Sequence, residues 1–463
     1  MTYLKTFRTA LLAGAAFAVT AGAAQADELK TSASKLASLP VPIGNQAVSF
    51  VPTADLLKPL SSVTVHGYIL GRGNYDFDQA FDPTALQKLE KGKKSDNLGM
   101  VGRGRLTVKS TNDTAIGQIR TKLEAEFRNG DDFKFRHAWG EWDFAPNLTF
   151  GVGQTSRLFA LDTGIGAVEA DQFGLIDRSR DPQLRLAYAA GPMTFAVALN
   201  DATGDASTQI VGVDGEKYEG AHDNLPDLNA SLKYKLPGGH DVQLGGVLRN
   251  LNIDKAKADG KGPYEDENKL GWGVQGAANV SLGDIAKITA SVIYGKGLGN
   301  YLIGSGPAAY VVDTAAVAAQ SEVKAKPAVG TVGSEGYVPP VDAKAAVDAV
   351  DASSKINPIA ALGVAAGVTF NLSEATFVNL GWGWTKPNKD DVTDYAKAYY
   401  GAGEEKSVTR DITSLTANLF WKPVDQLKLG WEAAYAKRRY YKDASTKESE
   451  GSLQVSFGTW FYF

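Results

Sequence analysis

Residues 118–130 read QIRTKLEAEFRNG, and they alternate without a break. Gln118, Arg120, Lys122, Glu124, Glu126 and Arg128 share one parity, while Ile119, Thr121, Leu123, Ala125 and Phe127 share the other. Successive side chains of a β-strand point to opposite faces, so this stretch is a strand with five charges on one side and an apolar row on the other.

The same period recurs along the chain. Working outward, alternating segments occupy roughly 62–75, 98–110, 114–129, 132–145, 148–155, 183–190, 193–201, 227–236, 240–252, 269–281, 284–297, 358–371, 375–386, 407–422, 427–441 and 449–463, which makes sixteen. Short links rich in turn formers join them in pairs: STND (110–113), APN (145–147), AGP (190–192), PGG (237–239), LGD (282–284), LSE (372–374) and VDQ (424–426). Long polar links lie between, with NGDD at 129–132 as the brief exception. A soluble β-sandwich has no such asymmetry between its ends. The long-short rhythm predicts an all-β fold, a 16-stranded antiparallel transmembrane β-barrel with short periplasmic turns and long extracellular loops.

Size decides which face points inward. Side chains cannot fill so wide a barrel, so its interior holds water and the charged face of 118–130 lines it, while the apolar face meets lipid. No apolar run after the first residues is long enough for a transmembrane helix. The last strand, SLQVSFGTWFYF, places Leu453, Val455, Phe457, Phe461 and Phe463 on one parity. Trp382, Trp384, Trp421, Trp431, Tyr440 and Tyr441 suit an interfacial aromatic girdle.

Composition narrows the function. The net charge is −4, which gives no basic footprint for nucleic acid. Cysteine is absent and the four histidines are far apart in sequence, so neither thiol chemistry nor a metal pair is expected. Asp205, Asp214, Glu216, Asp223 and Asp227 form an acidic group without the ligand spacing of a calcium loop. GRGRL (102–106) and GWGW (381–384) are strand glycines with no helix after them, so no cofactor is expected. An enzyme would need a serine partner for His66 or His137, and no such motif exists. Inward small residues such as Ala138, Gly140 and Ala187 are expected to leave space in the lumen, against a plugged structural or adhesin barrel.

Lys5 and Arg8, the apolar run LLAGAAFAVTAGAA and Ala24-Gln25-Ala26 mark residues 1–26 as a signal peptide. Removing those two cations from 48 leaves 46 basic against 52 acidic residues. Residues 27–61 are expected to be a periplasmic extension, too short for a plug domain, and 62–463 the barrel. The Ala/Val/Lys-rich stretch 311–355, within the long link 298–357, reads as an extracellular loop with a short helix at 342–350.

The run FRHAWGEWDFAPNLTFGVGQTSRLF (135–159), with the strand rhythm and terminal aromatic strand, resembles the Gram-negative trimeric porins, and RHAWGEW…GVGQT is similar to the DcaP-like porins associated with dicarboxylates. The resemblance implies a homotrimer in the outer membrane, surrounded by lipid and lipopolysaccharide, that passes small hydrophilic solutes. It also implies that the third long loop, 156–182, folds inward as a constriction carrying Asp162, Glu169, Asp171 and Asp177. A basic ladder is expected opposite: Arg103, Arg105, Arg120, Lys122, Lys134, Arg136, Arg185, Arg249 and Arg410 all fall on the parity assigned to the lumen. An arginine on the lipid face costs about 2–4 kcal/mol near the midplane, which drives these side chains inward. Two consequences stay open: a surplus of guanidinium favouring anions and carboxylates, or pairing with Glu124, Glu126 and Glu141 that merely stiffens the wall.

Overall fold

A computed structural model describes residues 61–77, 97–128, 132–161, 164–168, 173–176, 180–201, 210–212, 217–218, 225–255, 265–306, 308–311, 356–400, 408–441 and 449–463. The signal peptide, the 27–61 extension up to residue 60 and the 342–350 helix lie outside them.

In chain order the strands are β1 (Ser61–Phe77), β2 (Asn97–Thr114), β3 (Gly117–Arg128), β4 (Asp132–Ala145), β5 (Leu148–Ser156), β6 (Arg180–Ala190), β7 (Met193–Asn200), β8 (Ile210–Gly212), β9 (Lys217–Tyr218) and β10 (Asp227–Leu236). There follow β11 (His240–Lys255), β12 (Glu265–Leu282), β13 (Ala286–Lys296), β14 (Ala309–Val311), β15 (Ile356–Pro358), β16 (Ala360–Asn371), β17 (Thr376–Pro387), β18 (Thr409–Val424), β19 (Leu427–Tyr440) and β20 (Ser449–Tyr462). Sixteen of these close an antiparallel barrel, and β8, β9, β14 and β15 form a small separate sheet from two of the long loops. That sheet was not visible as alternation because its strands are only two or three residues long. A helix, α1 (Lys389–Tyr400), opens the loop after β17 with Asp390 and Asp391 in its first turn, where acids favour the positive end of the helix.

Closure is made by the ends of the chain. β1 pairs with β20 from Tyr68↔Tyr462 to Phe77↔Leu453, and Gly67 and Phe463 exchange both backbone hydrogen bonds at 3.0 and 3.2 Å. Joining the last strand to the first removes the open sheet edge that a bilayer cannot satisfy.

Burial is inverted relative to a soluble protein. Leu123, Phe127, Val152, Leu244, Val292, Leu415 and Phe461 are exposed on the outside, whereas Glu126, Asn229, Gln275, Asn379 and Glu432 are buried inside. That inversion is the signature of a barrel solvated by lipid. Trp382, Trp421 and Trp431 stand on the outer face as expected. Tyr440 does not: it is buried and donates to Glu450 Oε2 at 2.8 Å. The first short turn is also displaced, because STND continues β2 and the chain reverses at Ala115–Ile116.

Candidate functional site

β3 supplies the centre of a charged inner wall. Its register sets Glu126 beside Arg105, Glu124 beside Thr107 and Arg128 beside Arg103, all on the inward face. On the other side Glu124 stands opposite His137 while Ala125 stands opposite Phe135, so Arg136 is one residue too many in β4. Such a bulge turns two consecutive side chains to one face. Arg136 reaches both glutamates, and His137 bonds Thr155 Oγ1 of β5 at 2.9 Å. The bulge also reverses parity below it. Trp139, Glu141 and Asp143 therefore face inward, and Ala138 and Gly140 face lipid opposite Leu123 and Thr121, contrary to the strict alternation read from sequence. Ala187, in register with Thr149 and Ala196, remains on the inner side.

Two carboxylates organise the cations. Glu126 is fully buried and lies 2.6 Å from Arg105 Nη2, 2.5 Å from Arg128 Nε, 3.0 Å from Arg136 Nη1 and 3.8 Å from Arg103 Nε. Glu124 lies 3.1 Å from Arg136 Nε and 3.2 Å from Lys122 Nζ, and accepts from Thr107 Oγ1 at 3.2 Å. Among the described side chains, Arg103, Arg105, Lys122, Arg128 and Arg136 thus gather around only two anions, leaving a surplus of positive charge. Nearer the short turns the balance reverses, since Arg120 is bonded to both Glu141 (3.1 Å) and Asp143. Excess cation and balanced pairing thus stand at different heights on one wall.

The other ladder positions differ in surroundings. Lys134 is exposed in register with Glu126. Arg185 donates to Gln183 Oε1 and the Ser156 carbonyl at 2.7 and 2.6 Å and lies over the Trp139 ring at 5.1 Å. Arg249 faces inward but does not meet water: it is fully buried, 3.1 Å from Asp227, and donates to the carbonyls of Gly297 and Leu298. Parity sets the side of the wall but not what covers it. Arg410 leaves the ladder altogether, because a register shift between Thr409 and Asp411 places it with Asp411 and Arg439 on the parity of Tyr435 and Trp431, the outer face.

Opposite the cationic wall, the described parts of the segment between β5 and β6 (157–161, 164–168 and 173–176) lie inside the barrel. Its four acids, Asp162, Glu169, Asp171 and Asp177, lie outside the described residues. Its course is fixed by hydrogen bonds to inward side chains. Leu161 N donates to Gln275, Val168 N to Glu432 and Gly174 N to Thr385, and the Gly166 carbonyl accepts from both Asn379 and Asn418. These partners meet the need of a buried irregular backbone for acceptors and donors. Inward glycines make the bed. A Cβ on Gly367 would stand 2.3 Å from Ile165, and on Gly430 2.9 Å from Val168.

The root of this loop is clasped. Arg157 is paired with Asp181, and its guanidinium lies 4.1 Å from the centre of the Tyr301 ring. Arg249 lies 4.7 Å from the same ring, and Tyr301 Oη donates to Asp227 at 2.8 Å. Phe159, Ile176, Leu298, Tyr301 and Leu302 complete an apolar cluster inside the barrel, so the segment after β13 also folds inward. Each such side chain stabilises by about 1.5–3 kcal/mol on burial. The loop thus lines β11–β20 and leaves the β2–β6 wall facing it. Sequence reasoning missed Arg180, which begins β6 and donates to His137, and it missed the clasp residues Arg157 and Tyr301. The recurrence of glycine on the inward parity of β16, β17, β19 and β20 was the available signal for the loop bed.

A family model described as a porin subfamily matches residues 62–456. Among solved structures, the chain is similar to the outer membrane channel DcaP of Acinetobacter baumannii, at 21% identity and a TM-score of 0.63 over 88% of this chain and 99% of that one. It is similar also to an anion-selective porin from Comamonas acidovorans, at 13% identity and a TM-score of 0.52 over 87% and 100%. No curated protein matches it. At these identities the structural likeness establishes the fold, and the family match covers nearly the whole barrel. Closed sixteen-strand sheet, inward third loop and family match together place the chain in the porin family, as a channel of the Gram-negative outer membrane.

Proposed function

We propose that the channel passes small hydrophilic anions, carboxylates among them, by passive diffusion and in preference to cations. The observation that carries this is the surplus of Arg103, Arg105, Lys122, Arg128 and Arg136 over Glu124 and Glu126. The cluster is level with the root of the inward loop, since Glu124 is in register with His137, and His137 touches Thr155 just before the loop departs. A field at the narrow part of a pore sets which ions enter. Lys122 and Arg128 keep side-chain exposures of 30% and 33% although they point inward, which favours an open lumen over a plugged barrel. Guanidinium groups also match carboxylates in shape and charge.

The assembly we propose is a homotrimer embedded in lipid and lipopolysaccharide, as the family resemblance implies. The test is single-channel recording in a planar bilayer under a KCl gradient. Steps in threes with an anion-directed reversal potential are expected. Cation selectivity would transfer control to the loop acids Asp162, Glu169, Asp171 and Asp177, and absence of conductance from folded protein would favour the plugged barrel.

A further inference from the structure

We propose that His137 and Arg180 are a specificity-determining pair that makes the channel more anion-selective in acid. This rests on the cationic wall described above but not on the sign of its selectivity at neutral pH.

The bulge in β4 turns His137 into the barrel, where it is 8% exposed. Arg180 Nε approaches His137 Nε2 at 3.3 Å, and His137 Nδ1 lies 2.9 Å from Thr155 Oγ1. A guanidinium can only donate, so Nε2 is the acceptor and carries no proton. The ring is held neutral, donating through Nδ1 to Thr155. Among the described residues, charged and polar groups face it from four strands: Glu124 and Lys122 from β3, Arg136 from β4, Arg180 and Asp181 from β6, and Arg105 and Thr107 from β2. Asp181 is engaged by Arg157, and Glu124 is shared among Arg105, Arg136 and Lys122.

Protonating Nε2 sets two N–H donors against each other at the Arg180 contact. It also adds a cation beside Arg136 and Lys122. The imidazolium keeps Thr155 and gains Glu124, while Arg180 is released from the ring toward the lumen. Both changes raise the positive field beside the root of the inward loop. Lys122, Arg136 and Arg180 oppose a further cation at this site, so the shift from the neutral-pH selectivity toward anions develops late, between about pH 6 and about pH 3.5.

The experiment is the reversal potential in a KCl gradient from neutral pH down through that range for the wild type, His137→Gln and Arg180→Gln. Glutamine can accept from Arg180 and donate to Thr155 but cannot titrate. The wild type is expected to increase its chloride-over-potassium permeability ratio roughly twofold or more. His137→Gln should match it at neutral pH and lose most of the acid response, keeping only what the lumenal carboxylates contribute on protonation. Arg180→Gln should retain a weakened response. A flat wild type, or an undiminished response in both variants, overturns the pair. A cation-selective channel that still moves toward anions in acid would overturn the proposed anion preference and leave this inference standing.

Discussion

The carbonyl oxygen of Phe173 occupies the place beside Gly383 where a side chain would begin, for a Cβ built there would stand 2.0 Å from it. Loop and wall are therefore fitted at backbone contact, with Phe173 N also donating to Ser414 Oγ at 3.1 Å. Gly383→Val must push the loop off β17 toward the cationic wall. Single-channel conductance is expected to fall roughly twofold or more as the constriction narrows. Gly71 is the control: a Cβ there meets nothing within 4 Å, so Gly71→Val should conduct as the wild type does. Equal conductance in the Gly383 variant would show that the inward loop does not set the narrow section.

Glu126→Gln separates the charge of the wall from its rigidity. Four guanidiniums converge on this carboxylate, so its neutralisation enlarges the positive surplus and weakens the scaffold at once. Anion preference should increase. Resistance to unfolding should drop by about 1–3 kcal/mol, less than for breaking a fully buried pair, because the guanidiniums still touch water. Glu141→Gln is the comparison, since Asp143 remains to hold Arg120. Reversal potentials and denaturant midpoints for the two variants check both effects.

The barrel was legible because period two is a local property. The segments at 132–145 and 227–236 coincide with β4 and β10, and the parity of 118–130 holds throughout β3. What the alternation could not show is where it slips. The extra residue at Arg136 reverses the faces of Ala138 and Gly140, and the shift at Arg410 turns that side chain outward, with no sequence mark at either place. Nor does alternation distinguish a wall facing water from a wall facing a loop. Arg249 and Arg105 share a parity class, yet one lies under the apolar cluster of Tyr301 and Leu298 and the other faces the lumen. That difference comes from long-range packing of two loops, which no local pattern encodes.

The clasp around Tyr301 should behave as scaffold rather than filter. Arg249→Ala strands Asp227, whose side chain is 1% exposed, and is expected to destabilise the folded channel by about 3–5 kcal/mol. Because Arg249 is fully buried, channels that do fold should keep wild-type ion selectivity while their open-state noise rises as the two inward segments loosen. Tyr301→Phe removes one buried hydrogen bond to Asp227 and should cost about 1–3 kcal/mol. Burial, and then the neighbouring Asp227 carboxylate, push the Tyr301 phenol above its ordinary range. With the folded value raised, its stabilising contribution is complete below the unfolded phenol value of about 10 and is lost as pH rises beyond it. The gap between wild type and Tyr301→Phe in denaturant midpoint should thus be constant through neutral pH and close only in strong alkali. A gap that closes near neutrality would mean that Tyr301 does not hold Asp227 through its proton.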